Sequence, residues 1–323
     1  MRDVTVLAAG GTISSVGGAP GGPGATPGLD AAALVEGLTG DISVEARTLR
    51  SVNGPQLTND DALALATAAV AETERGRGVV LTSGTDTIEE VAMLCDVLAG
   101  PGPPIVVTGA IRPADAPGAD GPANLTDSIV AAASPVTEGA GGLVCFAGEL
   151  HAARTVRKID STAPHAFASP RSGPIARIAE GRVDFFAQPL RGPRLPVPET
   201  LEFWTPIVTT WLGDDGSLLR AAVSTDPDGL VLVGLGAGHL PPRALAALRE
   251  CDDDLPVVFV VRPERGHLLR ETYGYEGSER DVLAEGVIEA AGLSGPAARM
   301  LLLAGLGAGL RGEALRAAFA LGA

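Results

Sequence analysis

Short runs of apolar residues recur along the chain, and each run stops at glycine, proline or a hydroxyl residue. Runs of this kind are typical of buried β-strands, because a strand covered on both faces needs no alternation of polar and apolar positions. The pattern predicts strands over residues 4–8, 78–82, 104–108, 142–146, 230–233 and 256–261.

Helical patterns fill the stretches between these runs. Thr58 and Asp61 have the spacing of a capping box and predict a helix to about residue 74, and Thr87 with Glu90 predicts a second helix to residue 99. Further helices are predicted over residues 123–133, 241–250, 281–291, 296–304 and 312–321. Short strands that alternate with helices indicate an α/β fold, with a mostly parallel, doubly wound sheet flanked by helices.

The chain of 323 residues is long enough for two domains. Residues 188–206 are rich in proline and lack helical periodicity, which is typical of a linker. We therefore predict a larger N-terminal domain over residues 1–187 and a smaller C-terminal α/β domain over residues 207–323. A glycine- and proline-rich stretch over residues 15–28 is either a surface loop or a mobile lid.

Charge and composition narrow the possible partners. The formal net charge of −15 repels phosphate backbones and anionic membranes, so neither nucleic acid nor a membrane is expected as a partner. Residues 1–18 show no basic segment followed by a long apolar stretch, so a cytoplasmic location is expected. The four histidines and three cysteines show no ligand spacing, and we expect neither a metal nor another cofactor.

Lys158 is the only lysine of the chain, and nearly all other basic residues are arginine. A bias towards arginine can deplete lysine everywhere, so the position could be incidental. However, arginine cannot lose its proton in proteins, whereas a lysine amine can act as a base. Lys158 is therefore a candidate for proton transfer.

Three polar strings directly follow predicted strands. Ligands of open parallel sheets bind beyond the carboxyl ends of the strands, which is where these strings lie. They cover residues 10–14, 83–87 and 108–113. Their glycines allow backbone N–H groups to approach a ligand closely. The strings supply candidate nucleophiles at Thr12, Ser83, Thr85 and Thr87 and a carboxylate at Asp86. A threonine hydroxyl needs a base to take its proton, and Lys158 can serve as that base.

These strings resemble the signatures of bacterial-type L-asparaginases. Residues 8–14, Ala-Ala-Gly-Gly-Thr-Ile-Ser, resemble the first signature, and residues 80–90, Val-Leu-Thr-Ser-Gly-Thr-Asp-Thr-Ile-Glu-Glu, resemble the second. Similar strings follow in the same order over residues 106–113, 118–125, 153–162, 166–170, 234–238 and 295–302. Lys158 falls on the catalytic lysine of that family.

The resemblance implies hydrolysis of L-asparagine to L-aspartate and ammonia through an acyl-enzyme. Thr12 would attack the side-chain amide, while Thr85, Asp86 and Lys158 would form a proton relay. Asp86 would also face the α-ammonium of the substrate. The resemblance further implies a homotetramer or homodimer with sites at the subunit interface. The residues it assigns to substrate binding are Gly11, Pro55, Gln56, Ser83, Gly84, Ala110, His239 and Glu276.

Several positions depart from the family pattern. Residues 15–35 contain no tyrosine, although the lid of the family usually supplies one. Either Tyr273 or Tyr275 takes this role, or the two tyrosines only pack against each other in a surface loop. Pro55 replaces a serine that holds the α-carboxylate, and Ser83 replaces a histidine. His239 stands where the family has an asparagine that reaches the site across the interface. Glu276 is the candidate acidic partner of the α-ammonium.

Three alternatives remain open from the sequence. The altered pocket is compatible with an amidase for glutamine or another small amide, or with a catalytically weak or inactive amide-binding homologue. A nucleotide-binding oxidoreductase is the third alternative, since residues 234–239 and 305–310 resemble dinucleotide loops. Neither string has the third glycine and the acidic residue that follows about 20 positions later in that motif, which argues against it.

Overall fold

The computed structural model describes residues 1–18, 24–38, 40–290 and 292–321. The chain forms two compact units, Met1–Arg194 and Leu195–Ala323. Among the described residues, no helix has both the length and the apolar character needed to cross a bilayer.

The first unit is built on a mixed, mostly parallel sheet. Its strands are β1 (Val4–Gly10), β4 (Val44–Val52), β5 (Gly78–Thr82), β6 (Ile105–Thr108), β7 (Gly142–Phe146), β8 (Glu149–Ala152), β11 (Ala176–Ala179) and β12 (Arg182–Phe185). Their order across the sheet is β12-β11-β8-β7-β6-β5-β1-β4. The strands from β7 to β4 pair in parallel, and β8, β11 and β12 extend the sheet in antiparallel fashion. Two small antiparallel pairs lie outside this sheet, β2 (Ser15–Val16) with β3 (Thr26–Pro27) and β9 (Arg157–Lys158) with β10 (Phe167–Ala168).

Helices cover both faces of this sheet. They are α1 (Ala31–Val35), α2 (Asn59–Glu74), α3 (Ile88–Leu98) and α4 (Gly121–Ala133). Val4 and Val6 of β1 pack with Ile129 of α4 on one face. Thr5, which points to the other face, donates a hydrogen bond to Glu72 of α2 over 3.1 Å. The alternation along β1 thus places helices on both sides, which confirms the doubly wound arrangement.

The second unit is smaller and contains a parallel sheet. Its strands follow the spatial order β13 (Ile207–Thr209), β14 (Leu230–Gly234), β15 (Val257–Val261) and β16 (Ile288–Glu289). Its helices are α5 (Ser217–Val223), α6 (Pro242–Arg249), α7 (Glu279–Ala284), α8 (Gly295–Gly307) and α9 (Gly312–Ala318). The predicted C-terminal α/β domain is confirmed.

One predicted helix differs from the structure, and several strands and helices were not predicted, among them α1, α5, β8, β11, β12 and β13. The helix predicted over residues 281–291 is wrong beyond Ala284, because Gly286 adopts a φ of +73° and β16 follows. The sequence analysis also missed β4. This edge strand carries exposed charges such as Glu45 and Arg47, so it lacks the apolar run by which the other strands were recognised.

The proline-rich segment 188–206 is bonded to the units it joins. Arg191 donates hydrogen bonds to Asp96 and to the carbonyl oxygens of Ala99 and Gly100 in the first unit. Leu195 and Leu201 are buried in the second unit. The boundaries of the linker and of the two domains stay a prediction.

The two ends of the glycine-rich stretch after β1 pair with each other, as the antiparallel strands β2 and β3. The N–H of Gly17 donates a hydrogen bond of 2.8 Å to Asp115. Residues 19–23, the middle of the predicted loop or lid, lie outside the described residues.

Candidate active site

The loops that follow β1, β4 and β5 meet through glycine backbones. A Cβ on Gly11 would lie 2.6 Å from the backbone nitrogen of Gly84, and a Cβ on Gly84 would lie 2.5 Å from that of Gly54. Side chains cannot fit at such distances, so glycine is required for the contact. The three loops are therefore in direct contact at the carboxyl edge of the sheet, the edge where the sequence predicts the ligand.

Thr12 follows this glycine contact directly. It begins a short 3-10 turn, Thr12–Ser14, and its side chain is partly exposed. The carbonyl oxygen of Gly11 accepts hydrogen bonds from the hydroxyls of Ser14, over 3.0 Å, and Ser15, over 2.9 Å. The peptide before Thr12 is thus held in place, and Thr12 itself is partly exposed.

Lys158 reaches two of the predicted relay residues. Its Nζ donates hydrogen bonds to Thr85 Oγ1 over 2.9 Å and to Asp86 Oδ1 over 2.6 Å. Thr85 is buried, the Lys158 side chain is 17% exposed and that of Asp86 is 60% exposed. The structure therefore brings together residues that lie 72 and 73 positions apart in the sequence.

The loop after β6, which contains Gly109 and Ala110, approaches Thr85 at Gly109. A Cβ on Gly109 would lie 3.3 Å from Thr85 Cγ2, and the carbonyl oxygen of Gly109 accepts a hydrogen bond from Asn124 over 3.0 Å. Asp120 accepts hydrogen bonds from two further backbone N–H groups of the loop, so its backbone is fixed. A fixed backbone is what an oxyanion-binding N–H requires.

The predicted pocket residues after β4 and β5 have different environments. Pro55 and Gln56 are exposed, and the side-chain oxygen of Gln56 accepts a hydrogen bond of 3.1 Å from the N–H of Asn53. Ser83 is fully buried, and its hydroxyl has no hydrogen-bond partner among the described residues. Pro55 offers neither a hydroxyl nor an N–H, so Ser83 and Gln56 are the polar groups present there.

The other predicted residues form an aromatic cluster within the second unit. The His239 ring centroid lies 5.1 Å from that of Tyr273 and 5.6 Å from that of Tyr275, and the two tyrosine rings are 5.7 Å apart. The tyrosines are 43% and 52% exposed. Both phenols are therefore accessible to a ligand or another chain.

Glu276, the predicted acidic partner of the α-ammonium, stays a prediction, and the acidic residue nearest His239 in this cluster is Glu279. Glu276 is exposed, whereas Glu279 is fully buried. One oxygen of Glu279 accepts the N–H of Thr272 over 2.7 Å and that of Tyr273 over 2.8 Å. Its other oxygen lies 3.7 Å from His239 Nδ1, and neither of these two atoms has a hydrogen-bond partner among the described residues.

Burial raises the pKa of Glu279, but the backbone N–H donors of Tyr273, Glu279 itself and Thr272, with the charge of His239, outweigh it and hold the pKa below its ordinary value. The Glu279 carboxylate thus fixes the backbone at Thr272 and Tyr273. An acidic residue is favoured in the first turn of α7, but Asp281 occupies the same turn, so this position does not distinguish Glu279 in the sequence.

Across the described parts of the chain, no three His, Cys, Asp or Glu side chains converge as ligands of a metal ion would. The chemistry available at the first site is that of hydroxyls, a lysine, a carboxylate and backbone N–H groups. Such a set is suited to nucleophilic attack with proton transfer.

Comparison with known proteins identifies the family of the chain. Residues 3–191 match the family described as "Asparaginase, N-terminal", and residues 206–319 match "Glutaminase/Asparaginase C-terminal domain". A "Probable L-asparaginase" of Deinococcus radiodurans is 36% identical over 323 residues, which covers 99% of this chain and 97% of that protein. A "Probable L-asparaginase periplasmic" of Haemophilus influenzae is 30% identical over 94% of this chain and 88% of its own length.

A more distant relative is a component of the "Glutamyl-tRNA(Gln) amidotransferase" of Methanobrevibacter smithii, which is 31% identical over 65% of this chain and 50% of its own length. Family matches to both parts of the chain, together with a relative aligned over nearly all of it, establish the relationship. The chain belongs to the asparaginase family of hydrolases, which act on amides.

Proposed function

We propose that the protein hydrolyses L-asparagine to L-aspartate and ammonia. The observation that carries this proposal is the contact of Lys158 Nζ with Thr85 Oγ1 at 2.9 Å, next to the glycine contact that positions Thr12. A hydroxyl becomes a competent nucleophile only when a base removes its proton, and these groups form a path for that proton.

In the proposed first step, Thr12 Oγ1 attacks the carbon of the side-chain amide. Its proton passes to Thr85, while the Thr85 proton passes to the amine form of Lys158. The tetrahedral intermediate then collapses, the C–N bond breaks, and the leaving nitrogen takes the proton back from Lys158 through Thr85. Ammonia departs and an ester on Thr12 remains. Water hydrolyses this ester by the same relay, which releases aspartate and restores the Thr12 hydroxyl.

Other groups of the site support substrate recognition. Backbone N–H groups around Gly11, Thr85 and Ala110 are the proposed donors to the developing oxyanion. Asp86 accepts Lys158 through Oδ1 and is largely exposed, so its second oxygen remains available for the α-ammonium of an amino acid.

A second candidate substrate is glutamine or another small amide. Pro55 removes a donor from the proposed α-carboxylate pocket, and the buried Ser83 hydroxyl lacks a partner among the residues described. The relative named as part of an amidotransferase also favours testing glutamine.

The test is an ammonia-release screen of asparagine, glutamine and simple amides, with Thr12→Ala as the control. We expect release from asparagine and its loss in the variant. Activity that survives in Thr12→Ala would overturn the assignment of the nucleophile. A thermal shift with asparagine but no turnover would instead favour an amide-binding homologue.

We further propose that the protein is a homotetramer or homodimer with sites at the subunit interface. Large apolar side chains stand exposed, including Leu190 in the first unit and Trp211 and Leu212 in the second, with Leu212 96% exposed. Such side chains favour association. Light scattering would test the oligomeric state.

The proposed location is the cytoplasm. All three cysteines are free thiols, which suits a reducing compartment. Cell fractionation would test this location, because one relative is named as periplasmic.

A further inference from the structure

We propose that Glu89 is a positioning residue, which holds the backbone of Lys158 so that the amine reaches Thr85 and Asp86. The expected effect of Glu89 on catalysis rests on the proposed function, whereas its expected effect on the Lys158 backbone does not. The carrying observation is a hydrogen bond of 2.7 Å from the backbone N–H of Lys158 to Glu89 Oε1.

The strand that presents Lys158 has little other support. It is the two-residue strand β9, which pairs only with the two-residue strand β10 in the part of the chain that the structure describes, and this pair lies outside the main sheet. Short isolated pairs of this kind are marginal in stability. The 2.7 Å hydrogen bond to the side-chain oxygen of Glu89 therefore ties the backbone of Lys158 to α3.

Sequence spacing places this anchor beside the relay. Glu89 follows Thr85 by four residues and Asp86 by three, and the turn at Thr85–Thr87 continues directly into α3. On a helix, residues with these spacings lie on the same face, one turn apart. The 3-10 turn and the first turn of α3 together contact Lys158 at both ends, with the Nζ bound by Thr85 and Asp86 and the backbone N–H bound by Glu89.

Holding both ends matters because the lysine side chain is long and flexible. A side chain with several rotatable bonds keeps its head group in place only if its backbone is also fixed. Proton transfer is sensitive to this placement, and an error of about 1 Å at a catalytic group can lower the rate about 100-fold. Glu89 would thus act on the reaction through Lys158, without touching the substrate.

The competing explanation is that Glu89 only stabilises the start of α3. A negative charge in the first turn of a helix is favourable regardless of what it contacts. Two substitutions separate the effect of the Glu89 charge from the effect of its side-chain length. Glu89→Gln removes the charge but keeps an acceptor oxygen at the same distance, whereas Glu89→Asp keeps the charge but draws it back by roughly 1.5 Å, the length of one C–C bond.

We expect Glu89→Asp to lower kcat about 10- to 100-fold and to change KM less than about 3-fold. For Glu89→Gln, both kcat and KM should stay within about 3-fold of the parent values. Hydrogen exchange at the Lys158 amide should accelerate at least about 10-fold in Glu89→Asp and little in Glu89→Gln. Glu138→Gln is the matched control. Glu138 is an exposed carboxylate paired with Arg2, and it lies just before β7, at the opposite edge of the sheet.

Three outcomes would overturn the inference. They are a kcat of Glu89→Asp within about 3-fold of the parent, an equal loss in Glu89→Gln, and unchanged exchange at the Lys158 amide in Glu89→Asp. Hydrogen exchange does not need turnover. If the protein released no ammonia from any amide, the proposed function would fail, while the exchange rates would still decide whether Glu89 holds Lys158.

Discussion

Replacing Gly11 with alanine is a direct test of the glycine contact at the candidate site. The new Cβ would lie 2.6 Å from the Gly84 backbone nitrogen, so the two loops would have to separate by roughly 0.8 Å to reach the 3.4 Å of an ordinary contact. A shift of nearly 1 Å next to Thr12 should lower kcat for ammonia release about 100-fold. Overpacking should also lower the free energy of unfolding by about 1–3 kcal/mol.

Gly76→Ala separates this steric effect from the cost of the backbone conformation. Gly11 and Gly76 both have a φ of +81°, but a Cβ on Gly76 would have no neighbour within 4 Å among the described residues. Both variants should lose stability from the positive φ, and Gly11, whose ψ is −175°, lies in a region that is essentially restricted to glycine and costs another residue about 1–3 kcal/mol. Only Gly11→Ala should lose activity and the additional stability, as measured by urea unfolding and ammonia release. If Gly11→Ala kept activity within 3-fold of the parent and unfolded like Gly76→Ala, the steric reasoning would be refuted.

Three further predictions concern proton transfer and acid stability. Lys158→Arg should lower kcat roughly 10²- to 10⁴-fold, because a guanidinium cannot accept the proton, and retention of a tenth of the activity would contradict the relay. Tyr273→Phe or Tyr275→Phe should lower kcat if a phenol replaces the missing lid tyrosine, and changes under about 3-fold in both, below about 1 kcal/mol, would dismiss that role. Burial lowers the pKa of His151 from its ordinary 6.5 to about 4. The unfolded chain therefore binds this proton first as the pH falls, and about 3 kcal/mol of stability should be lost between pH 6.5 and pH 4. Urea unfolding across this range should show a smaller loss in His151→Gln, and an equal loss would exclude His151 as the cause.

The strands of the parallel sheets could be predicted because burial on both faces leaves an apolar run, as in β1 and β5. Edge positions lack that signal, which is why β4 was missed. The end of α7 was misjudged because the apolar pattern continues past Gly286, while the positive φ of this glycine ends the helix. Local backbone conformation outweighs periodicity there.

Residues of the candidate site were predictable where they follow strands or stand out in composition. Thr12, Thr85 and Asp86 lie at strand ends, and Lys158 is the only lysine. Glu89 and Glu279 could not be singled out in this way. Their contacts with Lys158 and His239 depend on how distant segments pack, and many other acidic residues in the chain look the same in sequence.

The contact between Gly11, Gly84 and Gly54 also limits how this enzyme can change over evolutionary time. No one of these loops can acquire a side chain at its glycine unless a neighbouring loop withdraws, so single mutations there face a barrier that only coordinated changes could cross. New substrate preferences are therefore more accessible through exposed flanking positions, such as Pro55 and Gln56, where a substitution changes the surface of the site without separating the backbones. Directed evolution should therefore keep the three glycines unchanged and randomise the flanking positions.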